Sequence, residues 1–573
     1  MLTIPFKQQN RLFKNNSFNC TILSSATLGG FFFLSIFGVR IINPTYIGWL
    51  KGDSITQFLG WHFFRNEPWH IPFGILTKYH FPYITSIGFT DSIPLMAFIF
   101  KPLANVLPPD FQYIGLWLLL CFCFQGIFGA LLIRVFSKNL FIQLLGAMFF
   151  ISSPILLGRV GHSALSSHWL LLAALWFYFR DWQNPSSFKK FCGWLILVVL
   201  SAAIHPYISI MIGGLSFAFY LRLWLINRVI KVISVIFIIC GLISSNLFMW
   251  WIVGYFAVGE LNNFTAHGYG VYSANLVAFI DSRGWSTFLA GWKQATDGQY
   301  EGFSYLGLGV IILGLLACYP FFKRPPAFSN IKPLLPLFAV CTCFYILALS
   351  NKITFSDQII IHIKLNDHLK QFFSIFRSSG RFVWPLYYLM VFLILAFLIH
   401  RNKPRIVIPL LIITLSIQLI DFPKIYVSRA LRHLKQEGVN FTKSLKSDFW
   451  TSIGDHYDKI MIFPPEFCSK KPAIPYEPFA YLAANQQMSI NVNRSAHINI
   501  DFLRKECEKL IAGVESGNHD LKSIYILHPK YIEMFIQSIK VPTICGKIDN
   551  FNVCIAKNEN SVNPVIRAIK KHS

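Results

Sequence analysis

The sequence predicts an all-α polytopic membrane bundle of about 11 transmembrane helices, followed by a C-terminal extracytoplasmic α/β or α+β domain. Three observations predict it. Of 573 residues, 54% are hydrophobic and only 13% charged, which excludes a single water-soluble domain. Apolar runs of membrane-crossing length recur from residue 21 to residue 420 and then stop. Basic residues gather in alternate connections between those runs, as the retention of Lys and Arg on the cytoplasmic side requires.

Crossing the hydrocarbon core takes about 20 apolar residues, fewer where flanking side chains snorkel. That length test marks 21–42, 112–133, 139–157, 164–179, 190–204, 206–223, 229–252, 303–322, 333–350, 382–400 and 405–420. The apolar stretch 91–107 is short and carries Pro94, Lys101 and Pro102, so it reads as a re-entrant or interfacial helix. With Lys7, Arg11 and Lys14 inside, the basic pairs Arg134/Lys138, Arg222/Arg228, Lys323/Arg324 and Arg401/Arg405 all fall inside as well. Counting 91–107 as a span would invert them. The predicted plan is therefore a cytoplasmic N-terminus (1–20) and a transmembrane domain (21–420) with long outer loops 43–111 and 253–302. A soluble outer domain (421–573) completes it. The first span reads as a retained signal anchor, because no small-residue cleavage site follows it. The net charge of +25 is thus partly topological and partly in the tail, and predicts no nucleic-acid partner.

The unusual polar residues lie on the predicted outer face. Asp53 opens an apolar-periodic stretch (Ile55, Phe58, Leu59, Phe63) that reads as a helix on the membrane surface. As the first residue of such a helix, Asp53 suits an N-cap and a chemical role equally. Glu67 and Asp91 share that ambiguity, with capping favoured for Asp91. In Gly158-Arg159-Val160-Gly161-His162, Arg159 and His162 are spaced to share a helical face, whereas His162 and His168 are six apart and are not. Ionisable groups at the mouth of a span usually face a cavity or a partner. Glu301 lies between glycines just before a span, and Arg377 and Arg381 precede a later one. These cations either pair with Glu301 or bind an anionic ligand, since the planar guanidinium makes bidentate bonds to phosphate. No nucleotide-binding loop, zincin helix or serine-hydrolase elbow occurs.

After Asp421, strand-like segments (Lys459–Phe463, Met488–Val492, Ser523–Leu527, Phe551–Ile555) alternate with helical ones (Val427–Lys435, Phe502–Ala512, Pro529–Ser538). Four of the twelve cysteines, Cys468, Cys507, Cys545 and Cys554, lie there, compatible with two disulfides on an oxidising side. Four cysteines allow three pairings, of which Cys468 with Cys507 and Cys545 with Cys554 is the preferred one.

Several motifs carry a family resemblance: Gly52-Asp53, Gly60-Trp61-His62-Phe63-Phe64-Arg65, Thr85-Ser86-Ile87-Gly88-Phe89-Thr90-Asp91-Ser92, Gly158-Arg159, His168-Trp169, Gly298-Gln299-Tyr300-Glu301-Gly302-Phe303 and Gly380-Arg381-Phe382. In these the chain resembles the GT-C superfamily of polytopic glycosyltransferases, and more narrowly a bacterial membrane family of that type. The resemblance implies a GT-C-like bundle in the bacterial inner membrane. It further implies transfer of a sugar from a polyprenyl-phosphate-linked donor to a glycan or lipid acceptor of the cell envelope. Carried over residue by residue, it makes Asp53 the general base or acceptor-orienting carboxylate, helped by Glu67 or Glu301. Arg159 and Arg381 are then candidates for the donor phosphate, and His162, His168, Asp91 and Arg377 for further substrate binding. The paired acidic motif of metal-dependent members is absent after the first span, so a divalent metal cofactor has no support from it. The competing readings are a flippase or exporter of a lipid-linked sugar and a non-catalytic assembly protein for envelope polysaccharide. Transporters favour midplane charges and internal repeats, and the ionisable residues here crowd the outer ends instead.

Overall fold

Each apolar run that the sequence marks as a span forms a helix. In chain order these are Asn15–Phe37, Ile114–Arg134, Leu140–Ile151 with Pro154–Gly158, Trp169–Phe179, Ser187–Ala202, Pro206–Leu221, Val232–Val253, Leu308–Lys323, Leu335–Leu349, Trp384–Arg401 and Pro404–Asp421. The computed structural model describes residues 15–180, 187–257, 268–323, 325, 331–422, 444–465, 468, 474–494, 496 and 499–556. The expected helix Val427–Lys435 lies outside them. Among the described residues eight helices are long and apolar enough to cross a membrane, fewer than the eleven expected, and Ser163–Phe179 and Leu308–Lys323 are shorter. The Pro94–Phe100 helix ends in a single 3-10 turn at Leu103. Its ten residues reach only about 15 Å, half the hydrocarbon thickness.

The chain divides into two compact units. One comprises Met1–Pro44, Tyr113–Met249 and Thr265–Gln436, the other Thr45–Gln112, Trp250–Phe264 and Glu437–Ser573. The segment expected to be an outer loop of the bundle therefore shares a unit with the C-terminal tail.

In the first unit, helices pack closely through small residues, the usual solution where lipid gives no hydrophobic drive between helices. A Cβ on Gly29 would lie 2.1 Å from the Phe122 carbonyl oxygen, and one on Gly126 would lie 2.3 Å from that of Ser25. Buried polar groups join helices distant in sequence. Thr21 Oγ1 donates to Gln143 Oε1 at 2.9 Å. The Tyr388 hydroxyl meets Gln125 Nε2 at 3.1 Å and His168 Nδ1 at 2.8 Å.

In the second unit, the Asp53–Asn66 helix does not lie on a surface. Its residues from Gln57 to Arg65 are buried, and it packs against the Glu477–Asn485 helix. The His62 ring stacks on Tyr481 with centroids 5.3 Å apart, and its Nε2 meets Asn485 Oδ1 at 2.7 Å. The physical reason is visible in Phe58, Leu59, Trp61, Phe63 and Phe64, which make the helix apolar on all sides and so demand burial.

A five-stranded mixed sheet runs in the order Ser489–Ile490, Lys459–Phe463, Ser523–Leu527, Phe551–Ala556, Thr543–Ile548, the first three parallel and the last two antiparallel additions. Phe463, Val514, Tyr525, Leu527 and Phe535 form a core beside it. Residues 78–81 extend the sheet: His80 N and Phe81 N donate to Ile490 O at 2.9 and 2.8 Å, and Ile490 N donates to Lys78 O at 2.9 Å. Disulfides join Cys468 to Cys507 and Cys545 to Cys554, the latter pair facing across neighbouring strands.

Candidate active site

Three charged side chains converge in the first unit. Arg159 follows the short helix Pro154–Gly158, Glu301 lies in the six-residue 3-10 helix Asp297–Gly302, and Arg381 lies in the turn Ser379–Val383 just before a span. Arg159 Nη1 donates to Glu301 Oε2 at 2.6 Å and Nη2 to the Glu301 carbonyl at 2.8 Å. Arg381 grips both carboxylate oxygens, Nε to Oε2 at 2.9 Å and Nη2 to Oε1 at 2.8 Å. All three are buried.

Glycine makes this convergence sterically feasible. A Cβ on Gly380 would sit 2.7 Å from the Gly302 Cα, and one on Gly302 would sit 2.5 Å from the Ala274 Cα. Only bare backbone allows the two turns to touch, and that touch sets Glu301 beside Arg381. Burial alone would raise the Glu301 carboxyl, but the guanidiniums of Arg381 and Arg159 outweigh it and hold the group well below the usual carboxylate range. One carboxylate thus holds two guanidiniums out of water.

Between Glu301 and Arg381 lie the span-length helix Lys332–Leu349 and the shorter Leu308–Lys323. The 16 residues of the shorter one cover about 24 Å.

Other predicted residues are placed differently. Arg159 and His162 do not share a helical face, because the helix ends at Gly158 and residues 159–162 form a turn, closed by His162 N donating to Arg159 O at 2.8 Å. His162 still acts electrostatically on Glu301. His168 is fully buried against Trp384, with ring centroids 4.3 Å apart. Arg377 is exposed, with its guanidinium 5.7 Å from the Tyr272 ring centroid.

Asp53, Glu67 and Asp91 belong to the second unit. Asp53 is exposed and is the first helical residue, the N-cap position being taken by Gly52 at φ 54°. There its charge favours the positive helix terminus. Glu67 is buried and binds its own loop: Oε1 accepts from Thr77 N at 2.9 Å, from the Thr77 hydroxyl and from His70 Nε2 at 3.2 Å. Asp91 is not the N-cap residue of the helix that follows, a position held by Ile93. It sits in a left-handed turn at φ 57°, ahead of a helix that begins at Pro94 behind Ile93, and accepts from Gln57 Nε2 at 3.4 Å.

The sequence reading missed the aromatic floor of the cluster. The Arg381 guanidinium lies 4.7 Å from the Tyr207 ring centroid and that of Arg159 lies 5.4 Å from Trp384. The Tyr207 hydroxyl accepts from Ser378 N at 2.9 Å, which ties the turn bearing Arg381 to a second helix. The available signal was position, since both aromatics stand at the first turn of a span. Among the described residues no group of three His, Cys, Asp or Glu side chains is placed to hold a metal ion.

Fold and cluster together define a polytopic helical membrane protein with a buried arginine–carboxylate centre and a mixed α/β unit. Residues 26–423 match the model of the family described as "Domain of unknown function (DUF6311)", and residues 449–556 match that of the "DUF6311 C-terminal domain". The chain belongs to the DUF6311 family. No curated protein sequence matches it. Among solved structures it is similar to ArnT from Cupriavidus metallidurans bound to undecaprenyl phosphate, at 10% identity and TM-score 0.45, over 95% of this chain and 99% of that one. It is also similar to the apo oligosaccharyltransferase of Archaeoglobus fulgidus, at 12% identity and TM-score 0.37, over 84% and 65% of the two chains.

Proposed function

We propose that this chain is a membrane glycosyltransferase of GT-C type, which moves a sugar from a polyprenyl-phosphate-linked donor to a cell-envelope acceptor on the outer face of the inner membrane. The observation that carries this reading is the pair of buried guanidiniums on a single carboxylate, Arg159 and Arg381 on Glu301. Fixed guanidinium donors in a low-dielectric site suit the negative charge that builds on a phosphate as the bond to the sugar breaks. In this reading Arg381 and Arg159 stabilise the leaving phosphate and Glu301 holds both forks in position. The motif resemblance of Gly52-Asp53 separately makes Asp53 the candidate base for the acceptor hydroxyl, which gives up its proton as the glycosidic bond forms. The resemblance of Gly298–Phe303 supports the part given to Glu301.

The test uses the full chain reconstituted in vesicles with a labelled polyprenyl-phosphate sugar and an envelope-lipid extract as acceptor. Wild-type protein should convert label into product. Asp53→Asn should lose conversion while its amount in the membrane stays unchanged. Full conversion by Asp53→Asn would remove its catalytic role. Label crossing the bilayer with no transfer product would favour the flippase reading.

A further inference from the structure

Between the spans Lys332–Leu349 and Ser379–Arg401 the chain forms an arm. It opens with a two-stranded hairpin, Lys352–Phe355 against Gln358–His362, and continues into an eight-residue helix, Asp367–Ser374. Every residue of the second strand is exposed. Ile359, Ile360 and Ile361 are each about half exposed, with Ile360 the extra residue at a register shift in the hairpin. The apolar surface continues through Ile363 into the helix, where Leu369 and Phe372 share a face at i, i+3 and are exposed as well.

This surface is held in place. Thr354 Oγ1 accepts from Gln299 Nε2 at 2.7 Å, and the tip residue Ser356 exchanges bonds with the Asn275 side chain, its N donating at 3.0 Å and its carbonyl accepting at 2.7 Å. A long apolar edge strand open to water is a pairing and aggregation hazard, so something covers it.

We propose that the arm lies in the interfacial layer of the membrane, with its apolar side chains among phospholipid glycerol and upper acyl groups. Three observations select lipid as the occupant. Only Ser350 and Asn351 separate the arm from a span whose own outward side, at Ile346, is exposed, so apolar surface resumes directly after the span. Lys352, Lys364 and Lys370 punctuate it, spaced to reach headgroup phosphates while their stems lie on apolar surface. The free backbone edge of the second strand excludes the hydrocarbon core, where unpaired peptide groups are not tolerated, and leaves the interface as the depth that suits both backbone and side chains. The inference is independent of the sugar-transfer reading.

Photocrosslinking of the full-length protein in native membranes carrying radiolabelled phospholipid tests it. Ile360→p-benzoylphenylalanine and Phe372→p-benzoylphenylalanine are compared with the lipid-facing Ile346→p-benzoylphenylalanine and with Lys522→p-benzoylphenylalanine, an exposed site in the other unit. All four side chains are exposed, so the variants should fold, which their yield in the membrane checks. Lipid labelling at 360 and 372 is expected to approach that at 346 and to exceed that at 522 on the order of tenfold. Labelling no higher than at 522, or a protein adduct in place of a lipid adduct, would overturn the proposal.

Discussion

Glutamine at position 301 would leave two buried guanidiniums facing a neutral amide. Breaking a buried ion pair from one side typically costs about 3–5 kcal/mol. Glu301→Gln should therefore lower the thermal stability of the detergent-solubilised protein by that order as well as abolish transfer. Asp53→Asn, at an exposed position, should stay within about 0.5 kcal/mol of wild type. Calorimetry on both variants separates a supporting carboxylate from a chemical one. Acid sensitivity should come from histidines. Burial pushes the His62 and His80 imidazoles down to about 4, against the bonds from Asn485 and Asn493 that favour their charged forms. A depressed histidine stays neutral in the fold while the unfolded chain takes up a proton. Stability is therefore full above about pH 6.5 and falls as pH drops toward 4, by up to about 3 kcal/mol per histidine. Glu301 adds little in that window, since its contribution is full above the ordinary carboxylate value and is lost progressively below about pH 4.5. Unfolding midpoints of wild type and of a His62→Gln, His80→Gln variant between pH 7 and pH 4 check this, the variant giving the flatter curve. The charged members of the cluster were legible in the sequence because ionisable groups at span mouths are costly and rare. Tyr207 and Trp384 were not, because aromatics are 16% of this chain and one more at a span end stands out from nothing.

Elements were legible to the extent that one solvent dictated them. The bilayer forces apolar runs into helices, so each expected span coincides with a helix even where helix length alone leaves a crossing undecided. The strands Lys459–Phe463 and Ser523–Leu527 fall where their β-branched and aromatic pattern puts them. The strand Thr543–Ile548 was missed, since Gly546 and Lys547 dilute that pattern and its pairing is with Phe551–Ala556. The Asp53–Asn66 helix was found but its surroundings were misjudged, because the helix that covers it lies more than 400 residues further along the chain. Two predictions belong to this scale. Gly380→Ala should part the two turns, loosen the bond from Arg381 to Glu301 and lower both transfer and stability, read by activity and unfolding midpoint together. Replacing Cys468 and Cys507 by serine opens a 39-residue separation and should cost the α/β unit about 2–4 kcal/mol, with little effect on the melting of the helical unit.

On the scale of the whole molecule, hydrogen bonding restricts how the chain is threaded. Residues 78–81 share a sheet with Ile490, so the chain crosses the membrane an even number of times between them. Among the described residues seven span-length helices lie in that interval, and an even number needs a further crossing, for which the shorter Leu308–Lys323 is the candidate. The eleven spans expected from charge and hydropathy require Trp169–Phe179 and Ser187–Ala202 to cross as well. Cysteine reporters in an otherwise cysteine-free chain test the threading. Positions 69 and 522 should be labelled from one side of sealed vesicles and position 139, beyond one further span, from the other. The α/β unit is also assembled from three separated stretches of sequence. Ribosomes add about 5–20 residues each second, so residues 45–112 wait tens of seconds after synthesis before the tail that completes their core exists. During that interval Phe58, Trp61 and Tyr79, buried in the finished protein, have no native partner from the tail. Biogenesis, rather than catalysis, is then the step at which a holdase or a slowed ribosome would most alter the yield of this protein.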